Sequence, residues 1–547
     1  MSKLSPLPLR YGALTGSVIG FIITLPLVWL DPWFALLPLL FGILITVGIY
    51  DLNQRTHTIS RNYPILAHLR YFLESIGPEI RQYFIYADTE ERPFSREQRS
   101  VVYQRAKDVL DKRPFGSLHE MYHEGYEWIN HSLKPVGHDH SDFRILIGKD
   151  CKKPYNASVF NISAMSFGSL SANAILALNH GALKGGFYHD TGEGSISRYH
   201  RQYGGDLVWE IGSGYFGCRN DDGTFDEAKF VKNAALDQVK MIEIKLSQGA
   251  KPGHGGILPA AKVTPEIAEA RGVPVGKEVV SPAQHSAFST PLELMTFIER
   301  LRKLSGGKPV GFKIAIGHTW EWFSLVKAML ATGKRPDFIV VDGGEGGTGA
   351  APLEFINRLG MPMTEALLLV HNTLVGANLR EDIAIGAAGK VTSGFDIART
   401  IALGADWCNS ARGFMFSLGC IQSLNCHNDK CPSGVATQNP RRSNKLDVAD
   451  KSLRVSNFHR NTMDALANLL GAAGLNHPQE LGPEHIIRRI SENEVQPYMD
   501  LFRFLEPGVL IDGKTDNPVF VKYWDSARAD SFDAPDFVRK LRETKLH

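Results

Sequence analysis

Eight short apolar runs, each followed by a stretch with helical spacing, occupy the middle of this 547-residue chain. The runs lie at residues 160–164, 186–189, 207–211, 241–246, 310–316, 338–342, 383–387 and 406–410. Alternating strand and helix units form parallel sheets. Eight such units fit a closed barrel, which carries its active site at the carboxyl ends of the strands. We therefore predict an α/β protein built on a (β/α)8 barrel.

Four segments are predicted along the chain. Residues 1–51 form a transmembrane helical hairpin, 52–150 a helical linker or collar, 151–440 the barrel with a cysteine-rich loop, and 441–547 a C-terminal helical region. The clearest helical patterns outside the barrel cover 63–84, 95–111 and 455–475. Apolar residues make up 43% and charged residues 22% of the chain, which is typical of globular proteins. The net charge of +2 gives no reason to expect nucleic acid as a partner.

Two uncharged stretches near the N-terminus predict the membrane hairpin. Residues 11–30 and 32–50 contain no charged side chain and flank Asp31, and each is close to the length that spans a bilayer. Aromatic residues that suit the two membrane interfaces stand at their ends: Tyr11, Trp29, Trp33 and Tyr50. A cleaved signal peptide is the alternative, but no small-residue cleavage site follows the first stretch and the second would be unexplained.

Basic residues on both sides of the hairpin predict its orientation. They are Lys3 and Arg10 before it, and Arg55 and Arg61 after it. Positive flanks remain in the cytoplasm, so we expect an inner-membrane protein with a cytoplasmic catalytic body. Arginines in the collar are candidates for contact with anionic lipid, or simply form a solvated face: Arg55, Arg61, Arg70 and Arg81.

Three of the six cysteines, Cys420, Cys426 and Cys431, fall within twelve residues. Thiolates clustered so closely are typical ligands of a metal or an iron-sulfur cluster. Structural zinc is less suited, because it takes four ligands, usually in CxxC pairs, and no such pair exists here. Buried structural thiols or a disulfide framework would explain this spacing less well. Three ligands without a visible fourth indicate a three-iron cluster, although a four-iron cluster with a non-cysteine ligand stays open.

Glycine-rich loops follow three of the predicted strands. The loop after the sixth contains Gly343 and Gly344 in a formal GxGxxG pattern, which we interpret as a floor for a flat ring rather than as a dinucleotide site. Loops after the seventh and eighth carry Gly389, Ser393, Gly394, Arg412 and Gly413. Barrel enzymes bind phosphate there, and a flavin mononucleotide (FMN) would suit the site. Alternatively, these glycines only make tight turns.

Two further loops carry candidate catalytic residues. Glu193 follows the second predicted strand, and Lys245, Gln248 and Lys251 follow the fourth. Ammonium groups on a glycine-rich loop indicate an anionic substrate, which they hold by charge-assisted hydrogen bonds. Glu193 suits a general acid or a group that positions ammonium. The alternative is a solvated loop with ordinary surface lysines.

Several long motifs resemble the synthase domain of FMN-binding glutamate synthases. The matching stretches lie at residues 162–171, 191–194, 242–253 and 342–352, and in the cysteine loop continuing through 434–438. The resemblance covers roughly residues 155–475, in the family's order. The chain looks like a short, membrane-anchored branch of this family.

The resemblance implies a (β/α)8 barrel that uses FMN and a 3Fe-4S cluster to reduce 2-iminoglutarate, which forms from 2-oxoglutarate and ammonia. Cluster ligands would be Cys420, Cys426 and Cys431, and Glu193, Lys245, Gln248 and Lys251 would face the substrate. The FMN site would comprise Ala164, Met165, Ser166, Lys313, Gly343, Gly344, Gly389, Ser393, Gly394, Arg412 and Gly413. Lys313 would also stabilise the anionic reduced flavin. Electrons would come from an external donor, either ferredoxin or a reductase subunit, and a homo-oligomer stays open.

Departures from the family pattern leave the substrate open. The chain begins Met1-Ser2 in place of a glutaminase domain with an N-terminal cysteine nucleophile, so we do not expect glutamine hydrolysis. His254 stands where the family has an acidic residue, and the segment 285–287 replaces part of a histidine and acidic signature. Two different functions stay open on this ground. One is an FMN barrel acting on another amino or 2-oxo acid, including amine transfer to or from glutamate, and the second is a non-catalytic electron-transfer subunit.

Overall fold

The computed structural model of the protein describes residues 9–138, 141–253 and 255–545. Lys3, His254 and the Met1-Ser2 start, for which we stated expectations above, lie outside these residues. The chain forms two compact units, which divide between Arg96 and Glu97. The predicted division into four segments stays a prediction.

The first unit is helical. Its α-helices are Gly12–Thr24, Leu36–Asn53, Thr58–Asn62 and Leu66–Ile80, joined by 3-10 turns at Leu9–Tyr11, Leu25–Trp29 and Pro32–Ala35 and followed by a π turn at Arg81–Ile85. Two helical stretches, Gly12–Trp29 and Pro32–Asn53, are long and apolar enough to cross a membrane. Few of their residues are buried, unlike those of a core helix. Asp31 begins the second stretch by accepting a hydrogen bond from the Trp33 amide at 2.9 Å.

The second unit contains the predicted barrel. Its strands, numbered β1 to β8, are Phe160–Ile162, His189–Asp190, Leu207–Ile211, Val239–Lys245, Val310–Ile314, Phe338–Asp342, Ala384–Ala388 and Trp407–Ser410. Each pairs in parallel with the next, and β8 pairs with β1 to close the barrel. The sequence-based prediction of a (β/α)8 barrel is confirmed. Only β2 departs clearly from its predicted bounds, since it is two residues long and lies at the end of the predicted run.

Helices surround the barrel. In chain order they are Ala172–Gly185, Arg198–Arg201, Glu227–Ala234, Ala260–Lys262, Pro265–Arg271, Pro291–Leu304, Thr319–Thr332, Leu353–Arg358, Met363–Gly376, Gly394–Ala402 and Arg412–Ser417. Strand β7 is rich in alanine and glycine because Trp407 packs against it: a Cβ on Gly386 would lie 2.5 Å from the indole ring. Small residues on one strand thus make room for a large one on its neighbour.

Flanking regions predicted as helical also contain short strands. Glu127–Ile129 pairs with Ile486–Arg489, which pairs with Val495–Pro497, and Arg144–Ile147 pairs with Tyr155–Ser158. Such strands are too short to show an alternating pattern. A two-stranded ribbon, Ile257–Leu258 with Val279–Val280, lies within the β4 connection. The remaining helices are Arg96–Lys107, Pro440–Ser443, Val448–Ala473, Pro478–Glu480, Tyr498–Leu501, Pro518–Tyr523 and Asp536–Lys545.

Candidate active site

The barrel interior holds a buried cluster of charged groups around Lys313 on β5. Its ammonium group contacts the Glu210 carboxylate on β3 directly and lies 3.7 Å from Glu243 Oε1 on β4. Burial lowers the pKa of Lys313, but the surrounding carboxylates, Glu210 first, more than offset this and the net shift is upward. Lys313 is therefore a fixed positive charge inside the barrel.

Two further acids share this cluster. Burial, and then the Glu210 carboxylate, raise the pKa of Asp190 on β2 to about 7. Burial, and then Asp190, also raise the pKa of Glu243. Sequence reasoning named Lys313 but missed the acids around it, although Glu210 and Glu243 interrupt otherwise apolar strands. That interruption was the available signal.

Above this cluster, Glu193 and Lys245 form an ion pair, with Lys245 Nζ 2.9 Å from Glu193 Oε1. The carboxylate fits closely between backbone segments: a Cβ on Gly212 would lie 2.7 Å from Glu193 Oε2, and one on Gly256 would overlap Oε1. Burial would raise the pKa of Glu193, but Lys245, followed by Arg271 and Lys251, brings it down to about 2. Glu193 is therefore ionised at neutral pH.

Two more cations lie buried beside this pair and bond only neutral oxygens among the described residues. Lys251 donates from Nζ to the Ala350 carbonyl oxygen at 3.1 Å. Arg271 donates from Nη2 to Ser166 Oγ at 3.3 Å and to the Phe167 carbonyl oxygen at 3.1 Å, while its Nε has no partner in the described part of the chain. Burial lowers the pKa of Lys251 to about 8 and that of Arg271 to about 10. The mouth of the barrel thus carries an excess of positive charge.

Arg271 was missed by sequence reasoning. It ends the helix Pro265–Arg271, twenty residues after Lys251, and looks like an ordinary basic residue in a last helical turn. Its guanidinium lies close to Gly168 in the loop after β1 and to Gly194 in the loop after β2. The predicted residue Ser166 is in the same place, and its hydroxyl donates to Ser169 Oγ at 3.0 Å. Ala164 and Met165 precede it in this loop.

The loop after β4 contacts the glycine loop after β6. Gly249 donates its amide to Asp342 Oδ2 at 3.0 Å, and a Cβ on Gly249 would overlap the Gly343 carbonyl oxygen. The amides of Gly343 and Gly344 are already bonded, to the carbonyl oxygens of Ala388 and Met361. Gln248, the preceding residue, is half-buried, and its side chain makes no hydrogen bond to a described residue.

The predicted phosphate loops after β7 and β8 have more packing constraints than the sequence indicated. A Cβ on Gly389 would lie 2.7 Å from Met363 Sδ, one on Gly394 2.7 Å from the Leu466 amide, and one on Gly413 2.5 Å from Ser410 Oγ. Each of these glycines is therefore required for close packing, whether or not it binds a ligand.

The helix that starts after Ser393 already carries an anion at its N-terminus. Ser393 Oγ accepts from the Asp396 amide at 3.1 Å, and the Asp396 carboxylate accepts from the Thr392 and Ser393 amides at 2.9 and 3.0 Å. Arg412 lies at the neighbouring loop and donates from Nη2 to the Glu345 carbonyl oxygen at 3.0 Å. Burial lowers the pKa of Arg412 to about 10. Arg412, rather than the Ser393 helix, therefore offers positive charge at this end of the site.

The three predicted cluster cysteines lie together on one loop. Burial, and then the nearby Cys426 and Cys431 thiols, raise the pKa of Cys420 to about 12. Three residues between the cysteines have the left-handed backbone conformation that non-glycine residues rarely adopt: Gln422 (φ 57°), Leu424 (φ 57°) and Asp429 (φ 59°). Such strain is concentrated at ligand-holding segments.

The loop after β1 joins the cysteine loop to the barrel mouth. Gln438 donates from Nε2 to the carbonyl oxygens of Gly168 and Leu170 at 3.0 and 2.9 Å. Lys262, which lies near Cys426 and Cys431, donates to the Ser169 carbonyl oxygen at 3.0 Å. The same loop accepts a hydrogen bond from Arg271. It therefore contacts both the region of the cysteines and the cationic mouth.

His285, part of the segment that departs from the family pattern, is buried under the site. One ring nitrogen lies 2.9 Å from the Lys245 carbonyl oxygen and the other 3.0 Å from the Tyr215 hydroxyl. Burial lowers the pKa of His285 to about 4, so the ring is neutral at pH 7. Its contacts support the backbone that carries Lys245.

A closed α/β barrel with buried cations at its mouth defines a class of enzymes that bind anionic substrates at the carboxyl ends of the strands. The chain belongs to the glutamate synthase family, because the family model described as the conserved region in glutamate synthase matches residues 130–476. The sequence-based prediction of this family is confirmed. The predicted enzyme class, an oxidoreductase acting on CH-NH2 donors, is confirmed by the same match.

Curated relatives of the chain also belong with glutamate synthases by their names. The chain is similar to the glutamate synthase large subunit-like protein YerD of Bacillus subtilis, with 38% identity over 491 residues, 82% of this chain and 93% of that one. It is also similar to the archaeal glutamate synthase [NADPH] of Methanocaldococcus jannaschii, with 35% identity over 335 residues, 61% of this chain and 62% of that one. The chain thus spans less than two thirds of the archaeal relative.

Solved structures show a more distant likeness. A mandelate oxidase with a monooxide FMN adduct has 14% identity and a TM-score of 0.38, covering 79% of this chain and 99% of that one. A flavocytochrome b2 with sulfite bound has 14% identity and a TM-score of 0.41, covering 77% of this chain and 88% of that one. These similarities add nothing about function to what the barrel itself shows.

Proposed function

We propose that this protein is a membrane-anchored glutamate synthase-like oxidoreductase that uses FMN and an iron-sulfur cluster for the reductive amination of 2-oxoglutarate. The observation that best supports this function is the excess of buried positive charge at the barrel mouth. Lys251 and Arg271 are buried and bonded to neutral oxygens. Buried charges are normally paired, so two such cations support a substrate with two carboxylates.

The site fits FMN in part. Arg412 supports a phosphate group, because its half-buried guanidinium is a cation at the β8 loop. The Ser393 helix adds little support for a phosphate, because the Asp396 carboxylate, which accepts from the Thr392 and Ser393 amides, already places an anion at its start. Lys313 supports the flavin as a positive charge beneath the mouth, held there by Glu210 and Glu243. When bound, FMN supplies two-electron hydride chemistry.

The ionisation states support distinct roles for the residues at the mouth. Because the pKa of Glu193 is about 2, this residue is not a general acid at neutral pH. Its carboxylate instead suits the binding of ammonium or of the N–H of an imine. Lys251, with a pKa of about 8, suits both a cation that binds carboxylate and a proton donor near neutral pH. Lys245 holds Glu193 in place.

The cysteine loop supports an iron-sulfur cluster rather than a single ion. Thiolates on one tetrahedral zinc ion lie about 3.8 Å apart. In the described part of the chain, the only three potential ligands whose atoms lie within 4.8 Å of one another are Asp190, Glu210 and Glu243, where Lys313 already supplies the cation. The thiols of Cys420, Cys426 and Cys431 therefore do not all lie within 4.8 Å of one another, which favours a cluster over one tetrahedral zinc ion. An external donor such as ferredoxin would supply the electrons.

Membrane anchoring is supported by the two apolar helices. Gly12–Trp29 and Pro32–Asn53 have the length and composition of spans, and their apolar side chains face outward. A hairpin of two spans leaves both of its ends on one side of the membrane. The basic residues that flank the hairpin support a cytoplasmic location for that side.

The test supplies detergent-purified, cofactor-loaded protein with reduced ferredoxin, 2-oxoglutarate and ammonium, and measures glutamate. We expect glutamate to form, Lys251→Met to raise the KM for 2-oxoglutarate, and Glu193→Gln to lower turnover while FMN is retained. Lys232→Met, on an outer helix of the barrel, is the control. No glutamate from wild-type protein with intact cofactors would reject this substrate pair. Full activity in Glu193→Gln would reject the role of Glu193.

A further inference from the structure

The helix Leu66–Ile80 in the first unit has an apolar face that the described residues leave uncovered. Its apolar residues recur at three- and four-residue intervals on one side: Leu66, Leu69, Phe72, Leu73, Ile76 and Ile80. Leu69 is 59% exposed, Phe72 57% and Leu73 50%. A surface helix of a soluble protein turns such a face toward its core.

The opposite side of this helix is the one that packs. Ala67, which lies away from the apolar face, is buried. The polar residues Glu74 and Ser75 lie outside the apolar stripe, and Arg70 pairs with Glu74 at 2.7 Å beside it. The apolar stripe continues past the helix into exposed aromatic residues, Tyr83 and Phe84. A contiguous apolar patch of this kind marks an interaction surface.

The position of the helix identifies what covers the patch. Asp51, in the last turn of Leu36–Asn53, is buried and accepts hydrogen bonds from the Ile65 amide and from His68 Nε2, both at 2.9 Å. These bonds tie the start of Leu66–Ile80 to the end of the second apolar helix. If that helix spans the bilayer, the amphipathic helix begins at the depth of the membrane surface.

We infer that residues 66–85 lie in the plane of the membrane interface, with the apolar stripe among the acyl chains of a phospholipid bilayer. This inference rests on the proposed membrane anchoring and adds a second contact to it. Amphipathic helices lie in the interface in this way, with aromatic and basic residues at the headgroup level. Tyr83 and the basic residues Arg70 and Arg81 fit that level. The helix would thereby restrain the cytoplasmic end of the hairpin against the bilayer.

The test uses the full chain in liposomes of phosphatidylcholine and phosphatidylglycerol, with a diazirine amino acid at one position at a time. Leu69 reports the apolar stripe, and Ser75, on another side of the same helix, is its matched control. Ile22, in the first apolar helix, reports anchoring. Leu541, an exposed leucine on Asp536–Lys545, controls for non-specific labelling. Leu73 serves as a second stripe position in case the Leu69 variant does not fold.

We expect lipid adducts at Ile22 and at Leu69, several-fold above those at Ser75 and Leu541. Labelling at Ile22 with no excess at Leu69 and Leu73 over Ser75 would overturn the inference and leave the anchoring intact. Adducts of Leu69 with a second copy of the chain, in place of lipid, would also overturn it. Absence of lipid adducts at Ile22 would overturn the anchoring and the inference together.

Discussion

The charge on Lys251 should control substrate binding at alkaline pH. Burial, and next the Lys245 ammonium, lower the pKa of Lys251 from 10.5 to about 8, and Glu193 opposes this shift. Arg271, also beside Glu193, keeps its charge through this pH range, because its pKa is about 10. An anionic substrate prefers protonated Lys251, so affinity should fall as pH rises through 8.

The size of the effect follows from the pKa. With a pKa of about 8, Lys251 is roughly 91% protonated at pH 7 and roughly 9% at pH 9, so the Kd for 2-oxoglutarate should rise about tenfold over this range. An unperturbed lysine, with a pKa of about 10.4, would leave the Kd nearly constant. Because substrate binding restores the charge, binding at pH 9 should take up close to one proton per site.

Isothermal titration of oxidised, cofactor-loaded protein with 2-oxoglutarate measures both quantities, provided it is repeated at each pH in buffers of different ionisation enthalpy. Lys251→Arg keeps a cation at all these pH values and should remove the dependence. Lys251→Met should bind weakly throughout. A wild-type Kd that stays constant from pH 7 to 9, or the same dependence in Lys251→Arg, would refute the reasoning.

Three further expectations concern the barrel and the cysteine loop. Gly249→Ala should abolish substrate binding, because the new Cβ overlaps the Gly343 carbonyl oxygen, whereas Gly349→Ala, where nothing lies within 4 Å, should bind normally; equal titrations of the two would contradict this. Glu210→Gln should lower the free energy of unfolding by about 3 kcal/mol, since it leaves a buried ammonium without its direct partner; an unchanged denaturation midpoint would argue against it. Cys426→Ser should lose the iron-sulfur electron paramagnetic resonance signal and keep the flavin absorbance, and a retained signal would exclude Cys426 as a ligand.

Strand positions in the barrel were predictable because each buried strand is a short apolar run bounded by turns. The ends of the strands were less predictable than their positions. The second run was assigned to 186–189, but pairing begins at its last residue, in His189–Asp190, and extends the strand to an aspartate that is buried in the cluster around Lys313. A buried aspartate reads as a loop residue in sequence, since its partner comes from another strand.

Some candidate site residues could be predicted from the sequence and others could not. Glu193, Lys245 and Lys251, which lie together at the barrel mouth, were candidates because polar residues beside glycines at or just after strand ends have few structural explanations. Their roles stay a prediction. Arg271 was not found, because only the folded chain brings its helix to the mouth. The sequence also does not show which glycines are required for packing. Gly389, for example, packs against Met363, and only the folded chain brings these two segments together.

The most direct test of the proposed chemistry is a single turnover that needs no partner protein. Flavin in the purified protein is reduced under anaerobic conditions by illumination with EDTA as the sacrificial electron donor and mixed with 2-oxoglutarate and ammonium, while flavin absorbance and glutamate are followed. We predict that the oxidised flavin bands return with one glutamate per flavin, and that 2-oxoglutarate alone leaves the flavin reduced. Flavin that stays reduced with both substrates, in protein with intact cofactors, would contradict the proposed chemistry.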